Sequence, residues 1–152
     1  MPWLEHWENL SRTIEPLAVT YLLTALIGWD REREAHSAGL RTFPIVGMAS
    51  CGYLLALGSA PDIQAQSRVL QGLITGIGFV GGGAILKEGA NVRGTATAAS
   101  IWNAGVIGAS VAMGRYEIAL VLALLNLFTL RALLPIKQRI DRDRNPSSPS
   151  GD

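Results

Sequence analysis

GLITGIGFVGGGAILKEGANVRGTATAASIWNAGVIG, residues 72–108, holds ten of the chain's seventeen glycines, and most lie inside apolar runs rather than polar turns. Inside a water-soluble helix each of these glycines would cost about 1 kcal/mol relative to alanine. In a bilayer the balance changes, because small residues let helix backbones approach closely. The stretch therefore predicts tightly packed membrane helices: a glycine-rich one, a short charged hinge at 87–94, and one rich in Ala, Ser and Thr. Gly72, Gly76, Gly78, Gly81, Gly82 and Gly83 are the expected packing positions of the first of these helices, through Gly72-xxx-Gly76 and Gly78-xxx-Gly82 spacings.

Working outward, the charges cluster at 30–41, 87–93 and 131–144 and leave five apolar runs, 14–29, 43–58, 69–86, 96–113 and 118–134. At 16–18 residues each sits at the short edge of the roughly 17–25 residues that cross a hydrocarbon core. With 152 residues and 49% apolar content, the expected architecture is a single all-α, polytopic bundle of about five transmembrane helices. A soluble protein with buried helices is the alternative, but the runs offer no polar faces to cover them. Residues 1–134 form the expected membrane domain. Within it, 1–13 reads as an interfacial helix, with Trp3, Trp7 and Leu10 at helical spacing, and 135–152 as a charged, Pro/Ser-rich cytoplasmic tail.

The basic residues orient the bundle. With the N-terminus outside, the inner segments carry Arg31, Arg33, Arg41, Lys87, Arg93, Lys137, Arg139, Arg142 and Arg144, and Arg131 lies near the same face. The outer side has only Arg12, Arg68 and Arg115. This is the positive-inside distribution, and it sets the C-terminus on the inner side. Net charge +1 gives no pointer to nucleic acid, and none is expected as a partner. The single Cys51 rules out an intrachain disulfide.

Few side chains carry chemistry. Gly76 to Gly81 spells the dinucleotide fingerprint GxGxxG, yet no strand precedes it and no acidic residue follows between Glu88 and Glu117, so the match is a coincidence. The Gly81–Gly83 triplet has two readings, helix packing or local unwinding that exposes carbonyls to an ion. Asp30, Arg31 and Glu32 follow the first run. They read as a solvated helix end with local ion pairs, or as a cation site in which Asp30 and Glu32, the only reasonable metal candidates, hold Mg²⁺. If Asp30 lies in the interface it needs a partner such as Arg41 or Arg93. Thr42 and Asn91 sit at helix starts or turns. Thr97, Asn103 and neighbouring Ser100 and Trp102 share the fourth run and are placed to hydrogen-bond across helices. No nucleophile–base pair is visible, with His6 and His36 at opposite surfaces, and no acid, His or Lys lies deep in a run; an enzyme is not expected.

Taken together, Gly28, Asp30-Arg31-Glu32, Ala38-Gly39-Leu40-Arg41-Thr42, the Gly76–Gly83 run, Asn91-Val92-Arg93-Gly94 and Thr97-Ala98-Ala99 with Trp102 resemble the bacterial MgtC/SapB inner-membrane proteins over about 80 residues. The resemblance implies a multi-helix membrane domain associated with Mg²⁺ homeostasis, linked in some members to virulence. Some members act by modulating another membrane protein. Departures are Asp30 where Glu is common, Gly82 where Ala is common, and Thr95-Ala96-Thr97 in place of a more usual Leu/Thr-containing run. Many members also carry a C-terminal soluble domain, where about 18 residues follow Leu134 here. The expected function is regulation of another membrane protein; the alternative is an Mg²⁺ or other ion transporter or channel. The expected partners are the bilayer, another membrane protein and further copies of the chain, with no cofactor beyond Mg²⁺ itself.

Overall fold

The computed structural model describes the backbone of residues 2–33, 38–58, 62–88 and 91–135, and side chains within these from residue 10 onward except at 88 and 91. Five helices follow one another: α1 (Pro2–Arg33), α2 (Thr42–Leu55), α3 (Ile63–Gly83), α4 (Thr95–Ala112) and α5 (Tyr116–Ala132). Each apolar run falls on one helix, although α1 begins twelve residues before its run and α3 six residues before its own. Two expectations change. The 1–13 segment is not a separate element, because α1 continues through it and carries Pro16 inside; the side chains of Trp3 and Trp7 lie outside the described residues, as does the tail from 136. The hinge is not a bare turn either. Strands β1 (Leu86–Glu88) and β2 (Asn91–Arg93) pair antiparallel, Leu86 opposite Arg93, adding a small hairpin to a fold expected to be purely helical.

The connections show how the chain reverses. Asp62 caps α3, its Oδ1 accepting from the Gln64 N–H at 3.3 Å. Gly94 precedes α4 with φ +85°, and its carbonyl accepts from the Ala98 N–H at 2.8 Å. A Cβ at Gly94 would lie 2.0 Å from the Ala84 carbonyl oxygen, so both conformation and space demand glycine there.

α4 is the central element, packed against each of the other four helices, most extensively α2. Its buried set includes Thr97, Ser100, Ile101, Ala104, Gly105, Ile107, Gly108 and Val111. The backbones touch: a Cβ at Gly108 would meet the Gly47 carbonyl oxygen at 2.1 Å, and one at Gly47 would meet Thr24 Cγ2 at 2.7 Å. The interior is thus built of Thr20, Thr24, Gly47, Ser50 and the small residues of α4, with Phe43 and a few Ile and Val side chains among them. The large apolar side chains face outward, among them Leu22, Leu26, Ile45, Phe79, Leu124 and Phe128. Among the described residues only the Leu10–Arg33 part of α1 is both long and apolar enough to cross a membrane; α2 is apolar but shorter. Gln64, Gln66, Arg68 and Gln71 lower the hydropathy of α3, Asn103 with the serines and threonines lowers that of α4, and α5 has 17 residues.

Candidate functional site

Asp30 and Arg31 end the apolar part of α1, and both side chains are buried, at 6% and 3% exposure. Asp30 receives two guanidiniums. Arg131 of α5 donates from Nε to Oδ1 at 2.7 Å, and Arg31 donates from its terminal nitrogen to Oδ2 at 3.2 Å. Burying a carboxylate is costly unless it is paired and hydrogen-bonded, and this pairing uses both of its oxygens. The interhelical partner is therefore Arg131, not Arg41 or Arg93, both of which are exposed. Arg131 could have been found in the sequence: it is the one cation placed within the last apolar run, on the inner face.

Glu32 points elsewhere, as two residues along a helix differ by about 200°. Its Oε2 accepts from the Leu40 N–H at 3.0 Å and closes the α1–α2 corner. The corner is too tight for side chains at its two glycines. A Cβ on Gly28 would lie 2.9 Å from the Gly39 carbonyl, and one on Gly39 would meet Glu32 Oε2 at 2.0 Å. Arg41 then takes the N-cap position of α2, and half-buried Thr42 is its first residue. Asp30 and Glu32 thus turn to different neighbours and already accept from protein donors, which does not fit a shared Mg²⁺ site. Among the described residues no three His, Cys, Asp or Glu side chains group so as to hold a metal ion.

On α4 the expected polar face binds α5. Ser100 Oγ donates to Asn126 Oδ1 at 2.9 Å, and Asn103 Nδ2 donates to the Leu122 carbonyl at 3.3 Å. Asn126 was not singled out from the sequence, although it is the one amide in an otherwise apolar run. Its Nδ2 is buried without a partner, as is the hydroxyl of fully buried Thr97. Trp102 is 45% exposed. Arg93 lies on β2, and the Asn91 side chain is outside the described residues. The polar positions therefore divide into an α1–α5 ion pair, an α1–α2 corner and an α4–α5 hydrogen-bonded seam.

The glycines of α3 depart most from expectation. Only Gly81 packs, its missing Cβ 3.1 Å from the Ala98 carbonyl oxygen; Gly72, Gly76, Gly78, Gly82 and Gly83 have open space where a Cβ would project. The close contacts of the fold come instead from Gly47, Gly105 and Gly108, on helices that carry fewer glycines. Nor is α3 unwound at its glycine triplet. It is helical through Gly83, and the carbonyls of Gly81 and Gly82 accept from Ala84 and Ile85 at 3.0 and 3.1 Å. Between α2 and α3 runs an apolar groove of about 460 Å³ lined by Val46, Tyr53, Gly72, Gly76 and Val80 among others.

The profile of the MgtC family matches residues 17–139. Two curated relatives, each named Protein MgtC, come from Brucella abortus (strain 2308) and Salmonella typhimurium (strain 14028s / SGSC 2262). The first is 33% identical over 135 residues, covering 89% of this chain and 57% of the relative. The second is 35% identical over 127 residues, covering 83% and 54%. The chain thus spans about half the length of the curated relatives it matches. No solved structure matches it.

Proposed function

The chain belongs to the MgtC family, and from that premise we propose that it is a multi-pass membrane protein of magnesium homeostasis that acts by contact with another membrane protein. The observation that carries the choice of contact over transport is the engagement of the acidic side chains at the inner end. Both Asp30 oxygens and Glu32 Oε2 accept from protein donors, so a passing cation would have to displace two arginines and open the α1–α2 corner.

Two features support several crossings. The first is the inverted distribution of side chains, small and hydroxylated within, large and apolar without, which suits lipid and not water as the surrounding medium. The second is the relation of α1 to α5. Tyr116 lies near the Glu15 carboxylate at one end, and Arg131 pairs with Asp30 at the other. Both pairs join residues 101 apart, so the two helices run parallel and in step over about 22 Å. If α1 crosses the bilayer, α5 crosses beside it in the same direction, as an odd-numbered helix of a five-crossing bundle must. Exposed Trp29 and Trp102 then lie toward the inner surface, and Tyr53 and Tyr116 toward the outer one, where aromatic belts form.

Purified protein in liposomes loaded with a Mg²⁺-sensitive dye tests the choice. The expected result is influx no faster than in empty liposomes. Protein-dependent influx that saturates with Mg²⁺ would establish the transporter instead.

A further inference from the structure

Helices α2 and α3 follow one another in the chain, yet each packs more extensively on α4 than on the other. The groove of about 460 Å³ lies between them. Its floor is α4 at Gly105, whose missing Cβ is bounded by Ile77 and Ser50, both lining residues. Its walls are apolar except for Ser50 and Tyr53. Ser50 Oγ already donates to the Val46 carbonyl at 2.9 Å, so it has no hydrogen to offer an occupant. The remaining hydroxyl, that of Tyr53, belongs to a largely exposed side chain at the outer end of α2. Gly72 and Gly76 face the groove and leave open space where a Cβ would project.

The dimensions select what fits. From Val69 to Val80 the α3 wall rises about 16 Å, which is one leaflet's share of a hydrocarbon core of about 30 Å. Spread over that length, the volume makes a channel about 6 Å across, too narrow for a helix of about 10–12 Å. A single methylene chain fits, since its carbons pack about 4 Å from their neighbours. The groove also begins where the hydrocarbon should begin. Gln64, Gln66 and Arg68 occupy the first turns of α3, and no charged side chain follows from Val69 to Gly83. Exposed Arg68 stands one turn before Gly72 on the same row of the helix, at the outer mouth and opposite the Tyr53 end of α2.

We propose that this groove holds one acyl chain of an outer-leaflet phospholipid as a resident lipid of the bundle, with the lipid phosphate at Arg68. Groove and bilayer are equally apolar, so the hydrophobic effect does not choose between them. Retention comes from two other sources. The chain gains van der Waals contact with α2, α3 and α4 on three sides, and the phosphate gains a charge-assisted hydrogen bond from the guanidinium. The inference rests on the multi-pass reading above.

The test is native mass spectrometry of the full chain, extracted from its membrane in a mild detergent. The expected species is the chain carrying one phospholipid that outlasts removal of the detergent. Gly72→Leu with Gly76→Leu fills the groove and meets no packed atom; it should abolish the adduct without lowering the thermal midpoint. Gly78→Leu with Gly82→Leu enters equally open space on the opposite side of α3 and should keep it. Arg68→Gln, which alters an exposed side chain and no packing, should lower the retained fraction about tenfold. After delipidation, dipalmitoyl phosphatidylethanolamine should rebind, and palmitate, with the same tail and no phosphate, should bind about tenfold more weakly. Absence of the adduct, its survival in the Gly72/Gly76 variant, or equal retention with Arg68→Gln overturns the resident lipid. So does a species of twice the chain mass that is lost when the groove is filled, which would make the occupant protein. A chain found outside the membrane fraction overturns the multi-pass reading itself, whereas a membrane-embedded chain without retained phospholipid overturns only the lipid.

Discussion

Asp30 is where one side chain decides most. Removing one member of a buried ion pair costs roughly 3–5 kcal/mol when the other is left uncompensated. Arg131 is itself 64% exposed and Arg31 remains beside Asp30, so Arg131→Ala is expected to cost about 1–2 kcal/mol. Asp30→Ala, which takes the acceptor from two guanidiniums, should cost more, and thermal unfolding in detergent will rank them. Glycines give a sharper contrast. Gly108→Ala drives a methyl to 2.1 Å from the Gly47 carbonyl, and forced overpacking of this kind is expected to cost about 3 kcal/mol. Gly76→Ala enters open space and, by helix propensity, should be neutral or stabilising by up to about 1 kcal/mol. A chain in which both variants lost stability equally would refute this division of the glycines.

Among the elements, α1 and α5 are tied by Asp30 and Arg131 at one end and bring Glu15 near Tyr116 at the other. Burial first, and the Glu15 carboxylate second, push the Tyr116 phenol above its ordinary value. The folded state thus favours the protonated phenol. Its contribution is complete below the ordinary tyrosine value of about 10 and is lost as pH rises through the folded one. Tyr116→Phe should therefore flatten the alkaline end of a stability–pH profile without changing it near neutrality. Glu117 moves oppositely, lowered mainly by its hydrogen bond from Arg115, but the pair is exposed and adds little. The α3–α4 connection depends on one residue. Gly94→Ala meets both a positive φ and the Ala84 carbonyl, so it should lower the thermal midpoint well below that of Gly114→Ala, where only φ opposes the change.

At the scale of the whole molecule, the proposed arrangement predicts which surfaces reagents reach. A membrane-impermeant maleimide applied to intact cells should label cysteines placed at Asp62 and Gly114 and spare those at Arg41 and Lys87; the reverse pattern would invert the bundle. Much of this architecture was legible in the chain. Five apolar runs bounded by charges and glycines become five helices, because an uninterrupted apolar segment must satisfy its backbone within itself. The hinge glycine Gly94 likewise marks a reversal and the MgtC motifs point to the family, whereas the α1–α2 corner built by Gly28, Glu32 and Gly39 came only from the structure. Partners across space are another matter. Spacing along one helix shows that residues share a face, but not what that face meets. Glycine density therefore pointed to α3, while the closest backbone approach formed between Gly47 and Gly108, where α2 and α4 cross, and Gly105 made room for Ile77 of α3. Asp30 required a cation, and the sequence pointed to Arg41 or Arg93 until packing brought α5 in step with α1 and set Arg131 beside it. The periodicity of the sequence determined the helices and their ends; only the crossing of those helices decided which small residues touch, which charge is neutralised, and which gap between helices stays open.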